Sequence, residues 1–182
     1  MRDLSQDADR TDSALVGAYR SGDQAAAAEL VRRHATSVGR YLVALGAPPS
    51  EVEDLIQETF FKAFRALGGW RAEGSFRGWV LRIAGNLRKD QFRRERGRLM
   101  LSIEDNDLVD LADPEGEMGA ADLALRLEAG ILRLPRLQRD VFLLRAQQGM
   151  AYEEISRALG TTPGAARVHY HHAVKRLKEL TK

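Results

Sequence analysis

No stretch of this chain alternates apolar and polar residues. From Val52 to Leu67 they recur instead at three- and four-residue steps: Val52, Leu55, Ile56, Phe60, Ala63, Phe64 and Leu67. That period puts every apolar side chain on one side of a helix. Ser50 with Glu53 spells a capping box at its start, and Gly68-Gly69 marks its end. The opposite side carries Asp54, Gln57, Glu58, Phe61 and Arg65. Asp54, Glu58, Phe61 and Arg65 fall on one surface stripe, with acids around a Phe that the period leaves outside. A solvated face seldom spends a Phe in this way, so the stripe reads as a protein-docking surface. An ordinary amphipathic helix is the plainer alternative.

The next helical segment has another charge. Phe76, Val80, Ile83 and Leu87 share one stripe, and Arg82, Asn86, Lys89 and Arg93 another. From Phe76 to Arg98 eight basic residues stand against Asp90 and Glu95, so this helix suits a polyanion while its predecessor suits a protein. Leu99 to Asp122 reverses the sign again. It holds eight acids (Glu104, Asp105, Asp107, Asp110, Asp113, Glu115, Glu117, Asp122) and no basic residue, with Pro114 and Gly116 inside it. That composition predicts a flexible linker, which at its plainest is a solubilising tether. It could also lie over the basic helix and inhibit it, in which case deleting it raises DNA binding by the free protein.

The rest of the chain is helical too. Residues 1–11 read as a disordered tail, Asp12 to Arg20 as a short helix stopped at Ser21-Gly22. Asp23 caps a longer helix whose stripe runs through Ala27, Leu30, Val31, Val38, Leu42 and Leu45 to Gly46. Beyond the linker, Leu123, Leu127, Ile131 and Leu134 form a stripe that Pro135 ends, and Val141 and Leu144 lie on the next helix, up to Gly149. Tyr152 to Leu159, a turn at Gly160, and a helix with Thr162 as cap and Pro163 first make a helix-turn-helix. In its second helix Ala166, Tyr170, Ala173 and Leu177 face inward, while Arg167, Val168, His171, His172 and Lys175 face outward, as on a recognition helix. The fold class is therefore all-α, with two small helical domains joined by the acidic linker.

These segments resemble bacterial RNA polymerase sigma factors of the sigma-70 family, extracytoplasmic-function group. Asp54-Leu55-Ile56-Gln57-Glu58-Thr59-Phe60, Phe76-Arg77-Gly78-Trp79-Val80 and Arg82-Ile83-Ala84-Gly85-Asn86 are similar to sigma domain 2, and the C-terminal helices to sigma domain 4. The resemblance implies a domain 2 over 12–98, a linker over 99–120 and a domain 4 over 121–182. It implies core RNA polymerase as partner through its clamp and flap regions, with Asp54, Gln57, Glu58, Phe61 and Arg65 docking domain 2. It further implies that the loop before Phe76 captures a flipped base of the −10 element, at a cost of a few kcal/mol that pocket atoms must offset. Trp70, Arg71, Glu73, Ser75 and Asn86 are then pocket residues, and Arg82, Lys89, Arg93 and Arg94 hold the backbone. Trp70 lies in a glycine-bounded loop where an exposed indole is free to touch a ligand, whereas Trp79 belongs with the core stripe.

Thr162, Arg167, Val168, His171, His172 and Lys175 would read the −35 element, Arg at guanine edges and Lys at phosphates. The linker of such factors threads the polymerase cleft towards the RNA exit path, and an acidic chain suits that place. An anti-sigma partner is common in this group.

The chain departs from the family pattern at His169, His171 and His172, often Arg, Ser or aromatic, and at Ala151, where a Ser or Thr cap is usual. His169 and His172 have a spacing that can chelate zinc, but no further ligands stand nearby, so no metal is expected. No cofactor and no catalytic residue is expected either, because the carboxylates lie in the linker and on the docking helix without a base or phosphate loop. The 182 residues include no cysteine, which excludes disulfides and thiolate chemistry. Met1 to Thr11 has no apolar core for a signal peptide and no run suits a membrane span, so a cytoplasmic location is expected. The alternative reading is a stand-alone helix-turn-helix regulator, or an adaptor that binds polymerase without initiating.

Overall fold

The computed structural model describes residues 10–70, 74–100 and 119–179, with the side chains of 96–100 and 120–121 excepted. Eight α-helices occupy these residues, and no strand is found among them. In the N-terminal half they are α1 (Asp12–Arg20), α2 (Gln24–Ala44), α3 (Val52–Ala66) and α4 (Phe76–Met100). In the C-terminal half they are α5 (Ala120–Arg133), α6 (Arg136–Phe142), α7 (Tyr152–Leu159) and α8 (Pro163–Glu179). The expected tail and linker fall largely on residues 1–9 and 101–118, outside the described residues. None of the described helices is long and apolar enough to cross a membrane.

Local chemistry sets the helix ends. Thr11 accepts from the Ala14 amide at 3.2 Å to cap α1, and Asp23 accepts from the Ala25 amide at 3.2 Å to cap α2. The capping box expected of Ser50 and Glu53 does not form. Pro49 opens a 3-10 turn, Pro49–Glu51, that runs straight into α3, so no extended residue is left in the capping position. A second 3-10 turn, Leu67–Gly69, ends α3, and the Arg20 guanidinium ties it to α1 by donating to the carbonyls of Leu67 and Trp70.

Glu29 is mostly buried and accepts from Arg32 at 2.7 Å and from Arg33 at 2.7 Å, which holds its carboxyl at about 2 instead of 4.5. A depressed carboxylate pKa stabilises the fold above pH 4.5 and loses that contribution as pH falls towards 2. The urea midpoint is therefore expected to drop across this window, and Glu29→Gln to flatten that part of the profile. An unchanged profile in the variant would remove Glu29 as the cause.

The two halves share one buried cluster. It runs from Leu15, Leu30 and Leu42 through Phe76 and Val80 to Val141, Leu144, Met150 and Ile155. A smaller one joins Leu134, Ala173 and Leu177. Close approaches at glycines bring the halves together: a Cβ on Gly46 would lie 3.1 Å from Leu132, and one on Gly78 would lie 3.1 Å from Met150. The Tyr41 hydroxyl, also in the seam, donates to Asp140, and burial pushes both groups above their ordinary pKa ranges.

The stripe expected to be the inward face of α5 is only half covered. Leu134 is buried and Ile131 is partly so, but Leu123 and Leu127 stand exposed because no element of the described residues packs over the first turns of α5.

Candidate polymerase and nucleic-acid interfaces

Helix α3 divides as its period requires. Leu55, Thr59, Phe60 and Ala63 are buried, and the Thr59 hydroxyl is satisfied by the Leu55 carbonyl at 2.6 Å. Asp54, Gln57, Glu58, Phe61 and Arg65 are all exposed. Phe61 keeps 59% of its surface in solvent, with the Arg65 guanidinium 5.5 Å from its ring centroid. Lys62 pairs with Glu58 at 3.0 Å across one turn. The result is a flat aromatic with charges on both sides, ready for a partner and supported from beneath by the core.

The basic residues of α4 separate into four environments. Arg82, Asn86 and Arg93 are exposed. Arg94 turns towards α3 and lines a groove with Asp54 and Glu58, where Gln91 donates to Glu51. Lys89 lines a cleft between the halves with Arg88, Arg136 and Arg139. Arg88 is buried: it donates to the Gly46 carbonyl at 2.7 Å and to Glu95 at 3.3 Å. Arg88 thus caps the end of α2, a role its place in a basic run conceals. Arg88→Ala is expected to cost about 2–3 kcal/mol of stability, because a charge-assisted bond is lost and a carbonyl is left unpaired. Arg93→Ala, at an exposed site, is expected to stay within about 0.5 kcal/mol. Urea unfolding of the two variants checks the contrast, and equal losses would refute it.

Ser75 caps α4, its hydroxyl accepting from the Gly78 amide at 3.1 Å. Beside it lies a cavity of about 330 Å³ lined in the N-terminal half by Gly69, Trp70, Gly74, Ser75, Gly78, Trp79 and Arg82. Of the expected pocket set, Trp70 and Ser75 meet here, joined by Arg82, which was expected to hold the strand's backbone instead; Asn86 is not on this wall, and Arg71 and Glu73 lie outside the described residues. The expectation of a free Trp70 indole is corrected. Only 8% of Trp70 is exposed, because its ring stands edge-on to Phe76 at 6.1 Å and presents only part of itself to the cavity. Trp79 packs on Phe76 at 5.8 Å and also lines the cavity.

In the C-terminal half, Gly160 takes φ +67° in the turn, a conformation that favours glycine, and Thr162 accepts from the Ala165 amide at 3.1 Å to start α8. The missing hydroxyl at Ala151 is partly replaced, since Glu154 reaches back to accept from the Ala151 amide at 3.2 Å. Arg167, Val168, His171, His172 and Lys175 are all exposed on one side of α8, and Ala166, Ala173 and Leu177 are buried on the other. The Arg167 guanidinium rests 5.1 Å from the Tyr152 ring centroid, with Arg145 also stacked on that ring at 5.0 Å. Stacking holds Arg167 in place before any ligand arrives.

Sequence reasoning passed over Tyr152, and also Gln148, Glu154 and Arg157, which the structure places against α4. Their partners lie on other helices, so no local spacing marks them. No group of three His, Asp or Glu side chains suited to a metal occurs among the described residues.

The sigma-70 region 2 family matches residues 30–98, and the sigma-70 region 4 family matches residues 124–177. RNA polymerase sigma factor NccH of Alcaligenes xylosoxydans xylosoxydans is 33% identical over 174 residues, which is 93% of this chain and 94% of that protein. ECF RNA polymerase sigma factor SigE of Mycolicibacterium smegmatis is 38% identical over 166 residues, 87% of this chain but 64% of that longer protein. The solved structure of CnrH in complex with the cytosolic domain of CnrY superposes with a TM-score of 0.71 at 27% identity, covering 93% of this chain and 96% of that one. With an α3 that exposes Phe61 among acids, a basic α4 and a helix-turn-helix in that order, this chain belongs to the extracytoplasmic-function group of the sigma-70 family, the factors that direct bacterial RNA polymerase to promoters.

Proposed function

We propose that the stripe Asp54, Gln57, Glu58, Phe61 and Arg65 binds core RNA polymerase, and that residues 12–98 and 121–182 act as separate promoter readers joined through 99–120. Trp70, Ser75 and Arg82, with Arg71 and Glu73 of the adjoining loop, take a flipped base of the −10 element. Asn86, Lys89, Arg93 and Arg94 follow the strand's phosphates. Thr162, Arg167, Val168, His171, His172 and Lys175 lie in the major groove of the −35 element. The chain performs no bond chemistry in this scheme: promoter opening draws on binding energy that is realised only with the melted strand. A partner of the kind CnrY is for CnrH would find Leu123, Leu125 and Leu127 uncovered on α5.

The observation that carries this reading is the exposed Phe61 among acids on α3, in a chain whose other half ends in a helix-turn-helix with a pre-stacked arginine. Run-off transcription by bacterial core polymerase on a genomic promoter library tests it. Discrete start sites that need the chain, and that vanish with Asp54→Ala and Glu58→Ala combined, are the expected outcome. Tight duplex binding without transcripts or association with core would favour a stand-alone regulator instead.

A further inference from the structure

The cleft that Lys89 shares with Arg88, Arg136 and Arg139 encloses about 560 Å³, more than the cavity beside Trp70. That volume falls within the roughly 300–1,000 Å³ of small-molecule sites. Two of the cations come from α4 and two from α6, so the cleft lies at the junction of the halves, where such sites collect. Asp140 is the only carboxylate among its lining residues, and it is already engaged. It accepts from the buried Tyr41 hydroxyl and pairs with Arg136 at 3.6 Å.

The cations here are short of acceptors. Arg88, only 7% exposed, spends its two Nη groups on Glu95 and the Gly46 carbonyl, and its Nε–H finds no acceptor. Arg139 donates from Nη2 to the Leu134 carbonyl at 3.1 Å, and its Nε–H is likewise buried without an acceptor. The half-buried Lys89 ammonium makes no ion pair or hydrogen bond within the described residues. Donors left unmet on charged groups in a concave site favour an anion. Four cations against Asp140 and Glu95 leave two positive charges unanswered. One carboxylate falls short of that, whereas a chain of two or three phosphates supplies it.

The same cleft carries apolar surface. Phe92 and Leu132 line it and are 47% and 43% exposed, and the Arg88 guanidinium lies 5.7 Å from the Phe92 ring centroid. A ring one guanidinium away from a phosphate site offers a platform for a base, since every base has a face to stack. Nucleic-acid phosphates alone would make no use of it.

We propose that this cleft binds a purine nucleoside di- or triphosphate. Its phosphates lie on Lys89, Arg136 and Arg139, and its double ring covers Phe92 and reaches Leu132. Arg88 is a positioning residue that holds Phe92 beside the phosphates. Lys89, which the strand reading also uses, serves either anion.

Titration calorimetry of the free full-length chain at low salt, with ATP, GTP, inorganic tripolyphosphate and adenosine as probes, tests the proposal. One-to-one binding of ATP or GTP is expected, with tripolyphosphate at least about ten-fold weaker and adenosine not saturating at about 1 mM. Phe92→Ala is expected to weaken nucleotide binding about ten-fold, within what base–ring stacking contributes, and to leave tripolyphosphate binding unchanged. Lys89→Gln combined with Arg136→Gln is expected to weaken both by about 30-fold, as two charge-assisted bonds are lost. Thermal melts show whether each variant folds, and Phe92→Ala, at an exposed ring, decides the matter should the double variant not. No saturable binding of either nucleotide would overturn the site. So would tripolyphosphate binding as tightly as the nucleotides, a Phe92→Ala chain that binds them unchanged, or a folded double variant that binds as wild type does, since each leaves only a basic surface.

Discussion

Phe61→Ala is expected to weaken binding to core RNA polymerase by about 30-fold, or 2 kcal/mol, while leaving the chain as stable as before. Phe61 is the largest apolar surface on the stripe, 59% exposed, and its ring is held by Arg65 at 5.5 Å. Little is lost on folding when an exposed ring is removed, so unfolding should shift by no more than about 0.5 kcal/mol. In a complex the same ring would be desolvated at the centre of the contact, where aromatic residues contribute most. Asp54 and Glu58 should act more on association rate and salt dependence, as charges at the edge of an interface do. Titration of labelled core with wild type and Phe61→Ala, beside thermal melts of both, checks the prediction. A variant that melts normally and binds core normally would remove α3 as the docking element.

Phe76→Ala should do the reverse and cost about 3–5 kcal/mol of stability. Phe76 is 1% exposed at the first turn of α4, and three rings surround it: His34 at 5.4 Å, Trp79 at 5.8 Å and Trp70 at 6.1 Å. Each belongs to a different segment, so a cavity there cannot collapse by moving one helix. For a chain of this size a loss of that order lowers the melting temperature by about 10 °C. Trp70 and Trp79 would also lose the ring they pack on, so strand binding should fall even well below the melting temperature. Thermal melts and strand titration at low temperature separate the two effects. A melting temperature within 2–3 °C of wild type, by the same scaling, would show that Phe76 is not the hub of this core.

Helix positions, and the faces they turn outward, were legible in the chain itself. Asp54, Phe61 and Arg65 stand exposed where the period of Leu55, Phe60 and Ala63 left them, and Thr162, Gly160 and Asp23 act as their side chains or backbone freedom dictate. Capping and amphipathic period are local properties, set by neighbours within four residues. The misreadings arose where a local signal met a non-local competitor. Pro49 took the turn that Ser50 would have capped, and Trp70 found Phe76 instead of solvent.

By itself the sequence determined an all-helical chain in two parts, an exposed acidic stripe before a basic helix, and a helix-turn-helix at the end. Only the tertiary structure decided that Ser37, Arg77 and Gln148 meet in one buried seam and that α7 stands against the Trp70 cavity. Bonds across 71 and 111 residues leave no trace in spacing. Whether such groups meet depends on how whole faces pack, and packing is settled by shape and burial summed over the entire molecule.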